Sequence, residues 1–376
     1  MLMLITVHAF LRSSLPAQDA LSMHRQHSSE IRGPRNKEYE GASRVPAMGA
    51  SEATVVASAP GKCILFGEHA VVYGQPAVAV AIEQRLTVSL APAPSWSVDG
   101  SALNAAKHPH ILHLRNRFLG EDAPPMAVHI QGDIPRASGL GSSASLSAAI
   151  GAAMAHLRKA DAPMTNDELS EAAHAAEAAA QLGRASPMDT STSVEGGVVV
   201  LSDQREEVGE WAYSRTLTTP EGERRWEVHR LDPPRDDVYL VLGNTGVHAP
   251  TSKQVAMVAQ ALASDPERMR EIQAIGTVAR RGLAALVSGD YEAVGHAMSE
   301  NHLLLRGLGV SSDALEELIQ AALPTSLGVK LTGAGGGGCM VALTRHPKHT
   351  SEAIELAGGR ALVSKLGNEG VRLELG

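Results

Sequence analysis

The passage from Asp133-Ile134-Pro135 through Gly139-Leu140-Gly141-Ser142-Ser143-Ala144 into a run of small apolar residues constrains the fold more than any other. Upstream, Ala127-Val128-His129-Ile130 is a short β-favouring run that ends near Pro135. Downstream, Ala144, Leu146, Ala148, Ala149, Ile150, Ala152, Ala153 and Leu157 combine high helix propensity with a face of small side chains. The pattern predicts strand, glycine turn and then a helix from Ala144 that packs closely on a sheet. Pro135, Ser138, Gly139, Leu140, Gly141, Ser142, Ser143 and Ala144 then lie where backbone N–H groups and the positive helix end converge on an anion, most readily a phosphate. No Gly-Lys-Ser/Thr follows the glycines, and the spacing misses the dinucleotide fingerprint, so both common nucleotide loops lose ground. The same residues would also form an ordinary glycine turn with Ser142 or Ser143 capping a structural helix.

A second segment, Ala59-Pro60-Gly61-Lys62-Cys63-Ile64-Leu65-Phe66-Gly67-Glu68-His69-Ala70-Val71-Val72-Tyr73-Gly74, reads as a strand ending at Pro60-Gly61, then an apolar run, then Gly67 presenting Glu68 and His69. Lys62 could reach an anionic oxygen, and Glu68 and His69 could hydrogen-bond a hydroxyl or carboxylate. The plain alternative is an edge strand with a solvated lysine and a surface Glu-His pair.

Composition narrows the class. With 376 residues, 44% of them hydrophobic and 20% charged, one or two domains with a sizeable core are expected. Aromatics make up 3% and the formal net charge is -8, which argues against a nucleic-acid binder while leaving room for a local basic pocket. Cys63 and Cys339 are the only cysteines, too few for a disulfide framework or a structural zinc site, and a reducing cytoplasm is expected. No apolar run is long enough to cross a bilayer, so no membrane association is expected. Residues 1–11 resemble a short signal core without its basic flank or cleavage site, and residues 1–50 are expected to form a disordered extension, with the folded body beginning near Thr54.

Taken together, Ala59 to Lys62 with Gly67 to Gly74, the Gly139 to Ala144 loop, and Lys330-Leu331-Thr332-Gly333-Ala334-Gly335-Gly336-Gly337-Gly338-Cys339 resemble, in order, the three signatures of the GHMP kinases. Alone, the last could be a flexible glycine hairpin. Galactokinase-like members continue the first signature with an Asp-Tyr-Asn type of sequence. Here it continues Ala70-Val71-Val72-Tyr73-Gly74, similar to the branch that acts on mevalonate. Gly243-Asn244-Thr245-Gly246 with Thr251-Ser252-Lys253, and Asn301-His302-Leu303-Leu304-Leu305, agree with that branch; their plain readings are a strand-turn-helix capped by Thr251 and an amphipathic helix.

The resemblance implies ATP-dependent phosphorylation of the 5-hydroxyl of mevalonate, with Mg²⁺ as cofactor. The rivals are another small-molecule kinase of the family, for phosphomevalonate or a sugar, or a catalytically silent nucleotide sensor. Asp189, in Ser186-Pro187-Met188-Asp189, matches the family's catalytic carboxylate that accepts the hydroxyl proton, against an alternative as a turn cap. Lys62 would stabilise developing charge. Glu68, His69 and Thr245 would hold the acceptor, with glycines 333 to 338 beneath it. Ser143 and Glu177 match the magnesium ligands, although the spacing from Glu177 to Asp189 is one residue longer than the family pattern. Such a slip turns a helical side chain by about 100°, which leaves a solvated helix Glu as the alternative.

The implied fold is α/β (α+β): a ribosomal-protein-S5-domain-2-like N-terminal domain over 51–232 that binds ATP, and a ferredoxin-like C-terminal domain over 233–376, with the site between them. The charged span 203–237, broken by prolines, is expected to hold the junction, and a homodimer is the assembly to test. Beyond it, helices are expected over Val255 to Leu262, Met269 to Ser288, Tyr291 to Leu305 and Asp313 to Ala322, and a strand over Cys339 to Leu343.

Overall fold

A computed structural model describes residues 54–135, 138–158, 163–181, 185–219, 222–234 and 236–374; the extension expected over residues 1–50 lies outside the described residues. The first part of the chain runs β1 (Val55–Phe66), a 3₁₀ turn (Ala70–Tyr73), β2 (Ala77–Pro92), β3 (Ser97–Val98), β4 (Ser101–Ala102), α1 (Pro109–Phe118), β5 (Met126–Gly132), α2 (Ser142–Leu157), α3 (Asn166–Ala180), α4 (Met188–Glu195), β6 (Val198–Ser202), β7 (Glu210–Thr219) and β8 (Gly222–Leu231). The second part runs β9 (Tyr239–Asn244), α5 (Thr251–Ser264), α6 (Met269–Ser288), α7 (Tyr291–Gly307), α8 (Asp313–Ala322), β10 (Gly328–Thr332), β11 (Cys339–Thr344), α9 (Pro347–Leu356), β12 (Arg360–Lys365) and β13 (Arg372–Glu374).

Strand β2 organises the larger sheet. It pairs antiparallel with β1, β5 and β6, and the sheet extends through β3 and β4 on one side and the β8–β7 hairpin on the other. One face is covered by α1, α2 and α3 through Ile111, Leu114, Ala148, Ala149, Ala153 and Ala172 against Ala57, Ala59, Val88 and Leu90. The small side chains of α2 permit the close approach: a methyl group on Gly151 would lie 2.9 Å from Leu169 Cδ1. The start of α3 is set by a reciprocal capping box between Thr165 and Glu168.

The opposite face carries Phe66, Val78, Val80, Ile82, Val198 and Val200, which share one core with Val278 and Leu283 of α6, Val294 of α7, and Leu240, Leu242 and Val341 of the second sheet. That sheet has the order β10-β11-β9-β12, and its other face packs on α5, α8 and α9 through Val258, Leu315, Leu318 and Ile354. A continuous apolar core therefore joins the two halves, which fixes the position of anything held between them.

Three local expectations change. Strand β1 does not end at Pro60-Gly61; a register shift between Pro60 and Lys62 absorbs the proline, and the strand continues to Phe66. The passage to the second sheet, after Leu231, stays inside the charged span 203–237, which also holds the β7–β8 hairpin. Strand β13 returns to pair with β1, so Arg372–Glu374 belong to the larger sheet and not to the C-terminal half. Helices α6 and α8 match their expected limits, whereas α5 begins four residues early, at Thr251, with Pro250 at its N-cap and no side-chain cap from Thr251.

Candidate functional site

The glycine turn places its helix where the pattern required, with α2 starting at Ser142, two residues before Ala144. Gly139 and Gly141 have φ of 79° and 75°, a conformation open mainly to glycine. Gly141 is the N-cap, and no side chain caps the helix, so the simple capping role for Ser142 or Ser143 is not what this turn uses. The first N–H groups of α2 remain available to an anion. Ser138 Oγ closes the turn by donating to Pro135 O at 2.7 Å, Leu140 is buried, and Ala144 faces the core.

Strand β1 brings Lys62 to this turn. The bulge at Pro60 is held by Ser145 Oγ and Ser193 Oγ, which both donate to Pro60 O, at 2.7 and 3.0 Å. Lys62 N donates to Leu140 O at 2.9 Å, and its side chain runs across Gly141. Lys62 Nζ then donates to Gly139 O at 3.0 Å and meets Asp189 Oδ1 at 3.1 Å. The lysine side chain is 4% exposed and that of Asp189 is 40% exposed, so the carboxylate faces an opening while the ammonium stands behind it. Lys62 is therefore no solvated edge residue. Asp189 lies in the first turn of α4, whose N-cap is Pro187, and it caps nothing.

Glu177 is buried as well, which removes the solvated alternative. Its Oε2 accepts from Ser143 Oγ at 3.0 Å and Gln181 Nε2 at 2.9 Å, and its Oε1 accepts from Ser147 Oγ at 3.1 Å. His110 Nε2 stands 3.1 Å from Oε1, within ion-pair reach but off the hydrogen-bond axis. Burial alone would raise the pKa of Glu177; His110 and the serine hydroxyls outweigh it and hold the carboxyl below the usual range. The Glu177 carboxylate, from the last turn of α3, and the Ser143 hydroxyl, from the first turn of α2, thus sit together behind the loop. Among the described residues no cluster of three His, Cys, Asp or Glu side chains could hold a metal unaided. Two hard oxygen donors beside an anion loop suit Mg²⁺, which keeps waters and takes phosphate oxygens as its remaining ligands.

The glycine run of the third signature lies against the loop: a methyl on Gly338 would fall 2.9 Å from Ser138 O. Thr245 N and Oγ1 both donate to Gly338 O at 2.9 Å, so Thr245, the residue after β9, braces the run. Ser138, Gly139, Thr332, Ala334, Gly335 and His248 line an open depression here. His69, with φ of 62°, donates Nε2–H to Ala334 O at 2.9 Å, leaving Nδ1 as an acceptor. Burial holds its pKa below the ordinary histidine range, so the ring is neutral.

Glu68 is not brought to this opening. Its carboxylate turns inward to an ion pair with Lys330 Nζ, with side chains 1% and 0% exposed, and Asn301 Nδ2 donates to Glu68 Oε2 at 3.3 Å. Direct contact of Glu68 with an acceptor, expected from sequence, therefore gives way to a place in the seam between the two sheets. Sequence reasoning placed Lys330 in the third signature but gave it no role; a lysine inside the buried run Gly328–Thr332 was the available signal. It also missed His110, Ser145, Ser147 and Ser193, whose roles depend on neighbours distant along the chain. Cys63 and Cys339 are free and buried, and burial pushes both thiols up to about 12, which leaves them unreactive.

Comparison with known proteins agrees with this arrangement. The model of the GHMP kinases N-terminal domain matches residues 103–197, and that of the GHMP kinases C-terminal region matches residues 283–358. A mevalonate kinase of Thermococcus gammatolerans is 32% identical over 358 residues, covering 85% of this chain and 98% of its own. A mevalonate kinase of Methanothermobacter thermautotrophicus is 34% identical over 296 residues, covering 76% and 89%. The crystal structure of L. major mevalonate kinase in complex with R-mevalonate superposes with a TM-score of 0.67 at 23% identity, covering 82% of this chain and 95% of that one. With both family models matched in order and such relatives aligned over nearly their whole length, the chain belongs to the GHMP kinases.

Proposed function

We propose that this protein transfers the γ-phosphoryl group of ATP to the 5-hydroxyl of mevalonate. The observation that carries the reading is the Lys62–Asp189 pair, 3.1 Å apart at the mouth of a glycine loop that opens a helix. The names of the relatives identify the acceptor class. Phosphoryl transfer needs an anion seat, charge neutralisation and a base for the attacking alcohol, with little covalent work left to the protein.

Residues Ser138 to Ala144 offer the seat through backbone N–H groups. Ser143 Oγ and Glu177 would hold Mg²⁺, which when bound supplies neutralisation of the β- and γ-phosphate oxygens. Asp189, half open to solvent, accepts the hydroxyl proton, and Lys62 stabilises negative charge beside it. His69, as an acceptor at Nδ1, orients the hydroxyl-bearing substrate; Thr245 and the glycine run form the floor. Glu68 acts behind His69 and does not touch the acceptor.

Asp189→Asn and Lys62→Met test the assignment in a coupled assay of ADP release with and without mevalonate. Turnover is expected to fall by roughly 10²–10⁴-fold with folding intact. Near-normal turnover in both variants would remove the assigned roles. Release driven instead by phosphomevalonate or a sugar would move the protein to another branch of the family.

A further inference from the structure

The inward-facing Glu68 leaves a buried pair with Lys330 that the reaction itself does not use. Three connections tie the end of β1 and the turn after it to β10 and the glycine run. Thr332 Oγ1 accepts from Ile64 N at 2.8 Å and donates to Ile64 O at 3.1 Å. Lys330 Nζ pairs with Glu68 and donates to Ile64 O at 3.3 Å. His69 Nε2 donates to Ala334 O at 2.9 Å. From α7, Asn301 closes the same group, giving Nδ2–H to Glu68 Oε2 and accepting from Gly67 N at 3.5 Å through Oδ1.

These contacts run from the larger sheet to the smaller one, and they bracket the backbone of residues 64–69. That backbone needs bracketing. Gly67 takes a φ of 90° against Pro76 O, and His69 adopts a φ of 62° that a β-carbon disfavours. A strained residue stays in place only when its surroundings over-determine it. A buried ion pair inside an apolar core is a costly way to do so: apolar side chains of similar volume would fill the space without desolvating ions. What the pair adds is direction, because an ammonium with its donors satisfied at Glu68, Ile64 and Leu331 admits one placement of the turn.

We infer that Lys330 is a positioning residue for the acceptor side of the site: through Glu68 it fixes the turn that carries His69 and holds that ring over the glycine run. The inference rests on the proposed function, in which His69 contacts the acceptor. The seam touches β1 at Ile64, four residues beyond Pro60, while the phosphate loop is tied to β1 through the Pro60, Leu140 and Gly139 contacts. Loosening it should therefore affect the acceptor more than the nucleotide.

The test is the pair of apolar replacements Lys330→Met with Glu68→Leu in one chain, compared with Lys330→Met alone. Steady-state constants for mevalonate and for ATP are measured separately, with nucleotide affinity followed by fluorescent ATP displacement. The single variant leaves Glu68 buried without its partner and is expected to lose folded protein. The double variant leaves no unpaired charge and is expected to fold, with the KM for mevalonate raised roughly tenfold or more and ATP affinity within about threefold of the parent. A double variant that keeps the parental KM for mevalonate overturns the inference. So does one in which both constants rise together, or one that fails to fold, since the pair would then serve folding in general. Parental protein that turns over no mevalonate at all would instead defeat the proposed function, a distinct outcome read from the first assay.

Discussion

Gly141→Ala separates the cost of backbone strain from the cost of moving Lys62. Gly141 has φ of 75°, and an alanine there carries a left-handed penalty of about 1–2 kcal/mol. Its methyl would lie 3.1 Å from Lys62 Cγ and 3.4 Å from Cε, inside ordinary van der Waals contact. The lysine stem is enclosed, so it yields by shifting, and the shift is transmitted to a head group held 3.0 Å from Gly139 O and 3.1 Å from Asp189. A displacement approaching 1 Å at a reacting group lowers turnover by roughly 100-fold, and a few tenths of an ångström by about tenfold. Gly309→Ala is the control. Its φ is 79°, nothing lies within 4 Å of the added methyl, and it sits in the turn after α7. Both variants should lose about 1–2 kcal/mol in urea unfolding, and only Gly141→Ala should lose about 10–100-fold in kcat. If the two variants lose equal activity, or if Gly141→Ala keeps the parental kcat, Lys62 is not held by the loop as described.

Three further outcomes follow from the same geometry. Glu177→Gln should raise the Mg²⁺ concentration needed for half-maximal activity by roughly 10–100-fold, with Mn²⁺ binding followed by electron paramagnetic resonance as the direct measure; an unchanged metal response would remove Glu177 from the ligand set. His69, His174 and His302 are buried and have lowered pKa values, chiefly from desolvation. The unfolded chain then binds more protons than the native one below about pH 6.5, so stability is full above that pH and declines as pH falls through it. Urea midpoints at pH 7.5 and 5.5 should show the decline, and His174→Asn should flatten it. Gly282→Ala would set a methyl 2.3 Å from the Phe66 ring where α6 packs on β1, and overpacking of about 1–3 kcal/mol is expected in denaturant unfolding; a neutral result would mean the seam between the halves is looser than its contacts indicate.

Local chemistry was legible in the chain itself. The strand, glycine turn and alanine helix around Gly139 to Ala144 follow from propensity and from a turn that only glycine tolerates, and α6 and α8 follow from periodicity, both with their limits. Three signatures in order also identified the family before any contact was known. Spacing along the chain encodes neighbours one or two turns away, and it stops there. Glu177 lies in a run of alanines that offers no polar face, so its burial against Ser143, Ser147 and Gln181 depended on which side of α3 met α2. Strand β1 passed through Pro60 because two serines on different helices satisfy its carbonyl. Strand β13 left the C-terminal half because β1 had an open edge to pair with. Glu68 looked like a side chain for the acceptor until Lys330, 262 positions away, claimed it. The chain determined its elements and the anion loop from local propensity. The placement of charges within the core was decided only when two sheets closed on each other, because a buried ion takes the partner the fold provides.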